Sequence, residues 1–525
     1  MGRFWKKKLK ERLETEKGVV IYGTGYIAQC FYNVAVEADI DISYCIVTNK
    51  GQNYDFNGIP IYTLDEKIEE LKESKRTIVI TVSELYVEEI KSLLNCCGLN
   101  NCFWIEEYAR NVFEIMNSRM QLAQNCLEEV AEWYIDENIS SDVNKPEIVN
   151  NLRRIIRREK IKRKVAFVIC LMSPRVVKIV EALQNNEYEI ELIVCSKEWV
   201  EDVRYSEFFQ RHESTICECM EELMYQLIMS RAELVHIFSE YDRVSMAIAY
   251  NIILRKDFLP VIVFEQYDIA NGMYCNIAEE ILREERYCLE TADGICCRGN
   301  ELDYLIQMKF NINGQRIKFW DYIGNEVYEN KSAKELSMCY AGGLSTERDW
   351  PEATYACLLE FAKLCEKNKC HFHLYPTQWD ENKYIDYIRM DKNSLYFHFH
   401  KPIAYRDVAR ELSQYDYGVV ITREGFLEKE NNGGFSSKKV IYSTTNKFYD
   451  YLAAGLPIVA AFPVLYVKYL EEKGVLINWT IEEFDFEQLR KKRQEMKERV
   501  KAVRKEWQIK FKIVELIAFY ESLLK

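Results

Sequence analysis

The chain has 525 residues, of which 48% are hydrophobic and 29% charged, and a net charge of −13. This length exceeds what one core holds and points to about three domains, while the acidic balance argues against nucleic acid as a partner. No run of eighteen apolar residues and no signal-peptide core after Met1 occur, so neither a spanning helix nor secretion is expected, and a cytoplasmic location is. The 18 cysteines sit in apolar strand-like runs such as Phe167-Val168-Ile169-Cys170-Leu171 and read as buried thiols of a reducing compartment. Cys96-Cys97, Cys217/Cys219 and Cys365/Cys370 lack the second pairs of a four-ligand zinc site, and no metal is expected.

In residues 1–108, Gly18-Val19-Val20-Ile21-Tyr22 reads as a strand, and Gly23-Thr24-Gly25-Tyr26-Ile27-Ala28 then opens a helix to about Glu37. This G-x-G-x-x-A turn, Gly23, Gly25 and Ala28, has the strand–turn–helix context of a dinucleotide fingerprint, in which Gly23 permits the tight turn and Gly25 lets backbone approach a pyrophosphate. The following strand, Ile42-Ser43-Tyr44-Cys45-Ile46-Val47, ends in Thr48-Asn49 where an acid would meet a ribose. The turn is therefore read either as a site for NAD or another nucleotide or as a purely structural use of glycine. Strands at 59–62, 77–81 and 102–105 complete a module that resembles the small Rossmann-like domains attached to bacterial polysaccharide-biosynthesis enzymes.

Residues 109–163 read as a helical connector, with helical periodicity over 109–135 and 146–160. Its basic end, 153–164, and the start Arg3-Phe4-Trp5-Lys6-Lys7-Lys8 interleave cations with apolar residues. Such segments either rest on an anionic membrane surface or form a solvated helix face.

A second βα series occupies residues 164–330. Val165-Ala166-Phe167-Val168-Ile169-Cys170 is a strand, Leu171-Met172-Ser173-Pro174-Arg175 a turn, and 176–184 a helix. Further strands are expected at 190–195, 232–238 and 259–268. Because ligands of parallel sheets bind at strand carboxyl ends, His236, Glu265, Tyr267 and Asp268 become candidate catalytic residues, with His236 read equally as a satisfied core histidine.

Residues 331–525 repeat the pattern. Strand 336–341 leads into Gly342-Gly343-Leu344-Ser345 and on to Arg348, and Tyr415-Asp416-Tyr417-Gly418-Val419-Val420-Ile421 follows Tyr405-Arg406-Asp407-Val408-Ala409-Arg410-Glu411-Leu412. His371-Phe372-His373 and His398-Phe399-His400 invite a metal reading, but period-two spacing in strands favours a structural one. The polar loop 423–445 is long enough to move over a ligand. In Asn446-Lys447-Phe448-Tyr449-Asp450-Tyr451-Leu452-Ala453-Ala454-Gly455-Leu456-Pro457-Ile458-Val459-Ala460-Ala461, a helix should stop on Gly455, which takes positive φ, and Pro457 should deliver the chain into strand 458–461. A charged helix is expected from about 486 to 507.

This last stretch resembles the donor-binding signature of the GT-B glycosyltransferases, in particular the retaining family-four class, whose Glu-x7-Glu pair precedes "AMAAGLPVV". Residues 165–268 likewise resemble its acceptor-side domain, with "S-P-R-V" at 173–176 and "DIVHAH" near 232–237. The resemblance covers residue 164 to the end. It implies an α/β protein of three Rossmann-like domains, the last two forming a GT-B body whose final helix crosses back to the first half. It further implies that Asp450 holds the ribose of a nucleotide-sugar, that Gly342, Gly343, Arg348, Asn446 and Lys447 hold its diphosphate, and that Tyr442 occupies the position of the first Glu. Tyr267 stands where the family has a histidine close to the transferred sugar, and the departing phosphate can take the acceptor proton in that class. The expected activity is glycosyl transfer from a UDP- or GDP-sugar to a cell-envelope polysaccharide, lipid-linked or protein acceptor, with retention, without a required cofactor or metal, and with peripheral membrane contact. Two alternatives belong to other classes: a silent GT-B scaffold or partner subunit of a transferase, and an NAD-dependent sugar-modifying enzyme working through the first domain.

Overall fold

The computed structural model describes residues 9–13, 18–49, 51, 54–104, 114–127, 130, 161–253, 260–275, 277–331, 335–344, 358–421, 436–461, 465–480 and 483–525. Arg348, the cations of 3–8 and 153–160, and most of the loop 423–445 lie outside them.

The fold consists of three sheets, each with helices on both faces. The first contains β1 (Val19–Tyr22), β2 (Ile42–Val47), β3 (Asp55–Phe56), β4 (Ile59–Thr63), β5 (Ile78–Ile80) and β6 (Cys102–Trp104), in the order β3-β4-β2-β1-β5-β6. The second contains β7 (Ile161–Ile169), β8 (Glu189–Val194), β9 (Ser214–Ile216), β10 (Ala232–Phe238), β11 (Val261–Gln266), β12 (Gly294–Cys297) and β13 (Gln315–Lys318), in the order β13-β12-β11-β10-β7-β8-β9. The third contains β14 (Ser337–Gly342), β15 (His371–Pro376), β16 (Phe397–Phe399), β17 (Tyr417–Ile421), β18 (Ile458–Ala461) and β19 (Leu476–Asn478), in the order β16-β15-β14-β17-β18-β19. All strand pairs are parallel except β3 with β4. In each sheet the chain starts centrally, winds one way and then reverses, which is the doubly wound Rossmann order and leaves a crevice at the reversal point. The last two sheets share one apolar cluster and face each other across a crevice.

The strands are apolar because both faces are covered. β10 and β11 are buried along almost their whole length, and one apolar cluster runs from Phe167 and Leu234 of the second sheet through Ile513, Leu516 and Phe519 to Phe448, Leu452 and Ile458 of the third. The helix 114–127 packs Met116, Ala123 and Leu127 between the first and second sheets, fixed by ion pairs Arg119–Glu284 (2.5 Å) and Arg283–Glu114 (2.7 Å).

One strand departs from expectation. β7 begins at Ile161, so Lys162, Arg163 and Lys164 of the basic run belong to a sheet and not to a helix face. Lys164 bridges Glu189 (3.1 Å) and Glu191 (2.9 Å) on neighbouring β8, which uses its charge inside the domain. No helix among the described residues is long and apolar enough to cross a membrane. The described cysteines are free thiols, most of them buried.

Candidate functional site

A cavity of 340 Å³ opens between the second and third sheets. Its walls are the segments that follow strand carboxyl ends: Pro174 after β7, Tyr267 and Asp268 after β11, Arg298 after β12, Gly342 and Gly343 at the end of β14, and Thr377 after β15. The helix Asn446–Ala453 closes one side with its first turn, and Asn446, Lys447 and Asp450 line the cavity. Thr445 caps this helix without a side-chain hydrogen bond, so its leading N–H groups and dipole favour an anion in the cavity. The buried Asn446 Oδ1 has no hydrogen-bond partner among the described residues.

Local sequence explains this placement. Gly455 (φ +76°) ends the helix after Ala454, and Leu456-Pro457 feeds β18, which pairs in register with β17 from Ile458 to Ala461. Gly342 lets Lys447 approach closely: a Cβ there would lie 2.2 Å from Lys447 Cε. The Lys447 side chain thus crosses the end of β14 in the space a glycine leaves, and its ammonium lies 5.3 Å from the ring centre of Tyr340.

The cavity is cationic on balance. Arg204, Arg298, Lys439 and Lys447 line it against the carboxylates Asp268 and Asp450. Burial pushes Lys447 down to about 8, with Asp450 opposing. Burial also raises Asp450, against the pull of Lys178, whose ammonium stands 3.9 Å away and donates to the Tyr322 carbonyl at 2.8 Å. Asp268, at φ +62°, accepts hydrogen bonds from Arg298, from Lys439 at 3.2 Å and from Tyr274 at 3.2 Å. Burial alone would raise its carboxyl, but the two cations outweigh burial and hold it low. The Arg298 guanidinium also covers the Tyr267 ring at 4.0 Å, and burial pushes the Tyr267 phenol well above its usual range.

Seven sequence-predicted residues therefore meet in one cavity: Tyr267, Asp268, Gly342, Gly343, Asn446, Lys447 and Asp450. His236 and Glu265 do not reach it. Both are completely buried beneath it, where His236 Nδ1 meets the Tyr520 hydroxyl at 2.5 Å and Nε2 meets Glu265 at 3.0 Å. Glu265 accepts from Arg175 at 2.7–2.8 Å, and Arg175 reaches Asp321 at 3.3 Å. Burial would raise Glu265, yet Arg175 and His236 outweigh it and keep the carboxylate charged. Asp321 in turn accepts from Thr444 at 2.8 Å, so the buried chain ends on a residue of the cavity wall. Tyr442 also points away: its hydroxyl donates to Gln307 and its ring packs on Tyr304 at 5.1 Å. Arg298, Lys439, Lys178 and Arg204 were not singled out from the sequence, because each sits in unremarkable local sequence.

In the first domain, Gly23 (φ +110°) donates its N–H to the Ile46 carbonyl at 2.9 Å, and a Cβ would meet Thr81 at 3.2 Å. Gly25 caps the helix Tyr26–Glu37 with open space around it, whereas Ala28 is wholly buried. The Thr48 hydroxyl, near the position of the absent acid, pairs with Tyr22 OH at 2.6 Å.

No protein-family model matches the chain, and no curated protein matches its sequence. Among solved structures it is similar to a sucrose-phosphate synthase from Thermosynechococcus elongatus (13% identity, 69% of this chain and 98% of that one, TM-score 0.46). It is also similar to the pneumococcal O-GlcNAc transferase GtfA in complex with UDP and GlcNAc (10%, 56% and 57%, TM-score 0.37) and to MurG of Acinetobacter baumannii (12%, 68% and 99%, TM-score 0.36). At such identities these are likenesses of architecture and say nothing of substrate.

Proposed function

We propose that the chain is a glycosyltransferase that takes a nucleotide-sugar in the cavity between its second and third sheets. The observation that carries this reading is the juxtaposition of the 446–453 helix N-terminus, Lys447 and the side-chain-free edge at Gly342 and Gly343. Together these offer a diphosphate backbone N–H groups, an ammonium and room for close approach. Asp450, one helical turn beyond Asn446, is placed for a ribose hydroxyl. Arg348 is a further proposed diphosphate ligand outside the described residues.

In the reaction the bond from the sugar's anomeric carbon to the diphosphate oxygen breaks, and a bond to the acceptor oxygen forms. Charge develops on the departing diphosphate. Fixed cations already in place stabilise it without reorganisation, and Lys447, Arg298 and Lys439 supply the charge that a metal ion supplies elsewhere. Tyr267 is a poor base, so the acceptor proton passes to an oxygen of the departing phosphate. Retention of anomeric configuration, an envelope or protein acceptor and a cytoplasmic site of action at the membrane's inner face belong to this proposal. His236 and Glu265 act as positioning residues through Arg175 and Asp321.

A catalytically silent scaffold is the second reading, favoured by Tyr442, which is held on Gln307 and Tyr304 and offers nothing to a sugar. A thermal-shift screen of UDP, GDP, CDP and their sugars, followed by assay of sugar release, separates the two. Stabilisation by one nucleotide that Asp450→Ala abolishes, with turnover, supports the transferase. Binding without turnover favours the scaffold, and no shift with any nucleotide removes the donor site.

A further inference from the structure

Four of the chain's six histidines gather on one side of two neighbouring strands, His400 one residue past the end of β16. β15 and β16 pair in parallel register, with His373 opposite His398, and period-two alternation puts His371 and His373 beside His398 and His400. His371 Nδ1 lies 2.9 Å from His398 Nε2, and His373 Nδ1 lies 2.9 Å from His400 Nε2. Ring stacking holds the array: the His373 and His398 ring centres are 4.3 Å apart, and His400 lies on Tyr375 at 4.3 Å.

We propose that His371, His373 and His398 form a binding site for a divalent late transition-metal ion, with zinc the natural occupant. One nitrogen from each of the three lies within 4.8 Å of the others. Tetrahedral coordination at about 2.0–2.1 Å separates ligand nitrogens by roughly 3.4 Å, so side-chain movement of at most about 1.5 Å completes the set. Imidazole suits zinc, copper and nickel, whereas calcium and magnesium require oxygen ligands.

The surroundings have the form of an outer shell. His371 Nε2 stands 2.8 Å from Glu335 Oε2, and a carboxylate accepting that N–H fixes the tautomer that leaves Nδ1 free for metal. Without metal, the proton in the 2.9 Å contact sits on His398 Nε2. On metal entry it shifts to His398 Nδ1, and both facing nitrogens become lone-pair donors. β16 is the edge strand of its sheet, the His371 side chain is 27% exposed and that of Glu335 70%, so the fourth position opens to solvent and takes water. The ion would fasten the edge strand to β15, whose far end carries Tyr375, Pro376 and Thr377 into the cavity.

The test uses the full chain, stripped with a chelator and titrated with Co²⁺ as a spectroscopic substitute for zinc. The site predicts one equivalent per chain with the visible bands of a four-coordinate ion, and a Zn²⁺-dependent rise in Tm. His373→Gln and His398→Gln should each weaken binding by at least about tenfold, and the exposed outer-shell change Glu335→Gln should do so without touching the sheet. His212→Gln, on the other half, should leave affinity unchanged. Uptake that survives all three site variants, or that carries a near-ultraviolet thiolate-to-cobalt band, assigns the ion to cysteines and overturns the proposal. Absence of uptake at micromolar Co²⁺ overturns it as well.

Discussion

Lys447 makes the cavity pH-sensitive in a defined direction. Its ammonium is held at about 8 by burial, so it is charged below that value and neutral above it. A diphosphate needs the charged form, and above pH 8 binding must be coupled to proton uptake. Nucleotide affinity measured by titration calorimetry should therefore be flat between pH 6 and 7.5 and fall by up to about tenfold per pH unit above 8. Lys447→Arg should move that fall beyond the measurable range, since guanidinium does not titrate there. The buried chain from Tyr520 through His236 and Glu265 to Arg175 makes a different prediction. His236→Phe leaves the Glu265 carboxylate and the Tyr520 hydroxyl each short of a partner in a fully buried place. A loss of about 3–5 kcal/mol in denaturant stability is expected, with nucleotide affinity in the remaining folded protein changed far less.

At the level of elements, the end of β14 and the 446–453 helix work as a pair. Gly342→Ala puts a methyl 2.2 Å from Lys447 Cε, and the lysine has a flexible stem that can swing away. The strand should fold, and nucleotide affinity should drop by about tenfold or more while far-UV circular dichroism stays unchanged. This helix and its strand were legible in the sequence because their signals are local: Gly455 and Pro457 stop one element and start the next within four residues. The strands 42–47, 232–238 and 458–461 were likewise legible from their largely apolar runs, broken only by Ser43, Glu233 and His236, since a strand covered on both faces has little polar side to blur it. β13, with the polar sequence Gln315-Arg316-Ile317-Lys318, carries no such signal. Lys162–Lys164 read as a solvated run because the acids that pair with Lys164 come from the next strand. Most of the cavity's charge was illegible for the same reason. Arg204, Arg298 and Lys439 stand on three elements far apart in the chain, and only the winding of two sheets brings them to one crevice.

The domains of the second and third sheets touch across this crevice. Lys439 reaches Asp268, Ser436 N–H donates to the Met273 carbonyl at 2.9 Å, and Tyr405 N–H donates to the Arg204 carbonyl at 3.0 Å. Asp268→Asn removes the charge that Lys439 and Arg298 share. Small-angle scattering of the ligand-free variant should then give a larger radius of gyration than wild type, and amide exchange over 436–442 should quicken. An unchanged radius and unchanged exchange would show that closure rests on the backbone contacts instead. The last helix, Ile509–Leu524, belongs to the other half by packing: Phe519 and Leu523 press against Gly294 of β12, and Tyr520 reaches His236 of β10. This has a consequence during synthesis. The second sheet is fully translated at Lys318 but lacks its cover until Leu524 is added, about 200 residues later, a delay on the order of 10 to 40 s at elongation rates of roughly 5–20 residues per second. Through that interval the nascent chain exposes the apolar face meant for its own C-terminal helix, and it is the stage at which a ribosome-bound chaperone has most to protect.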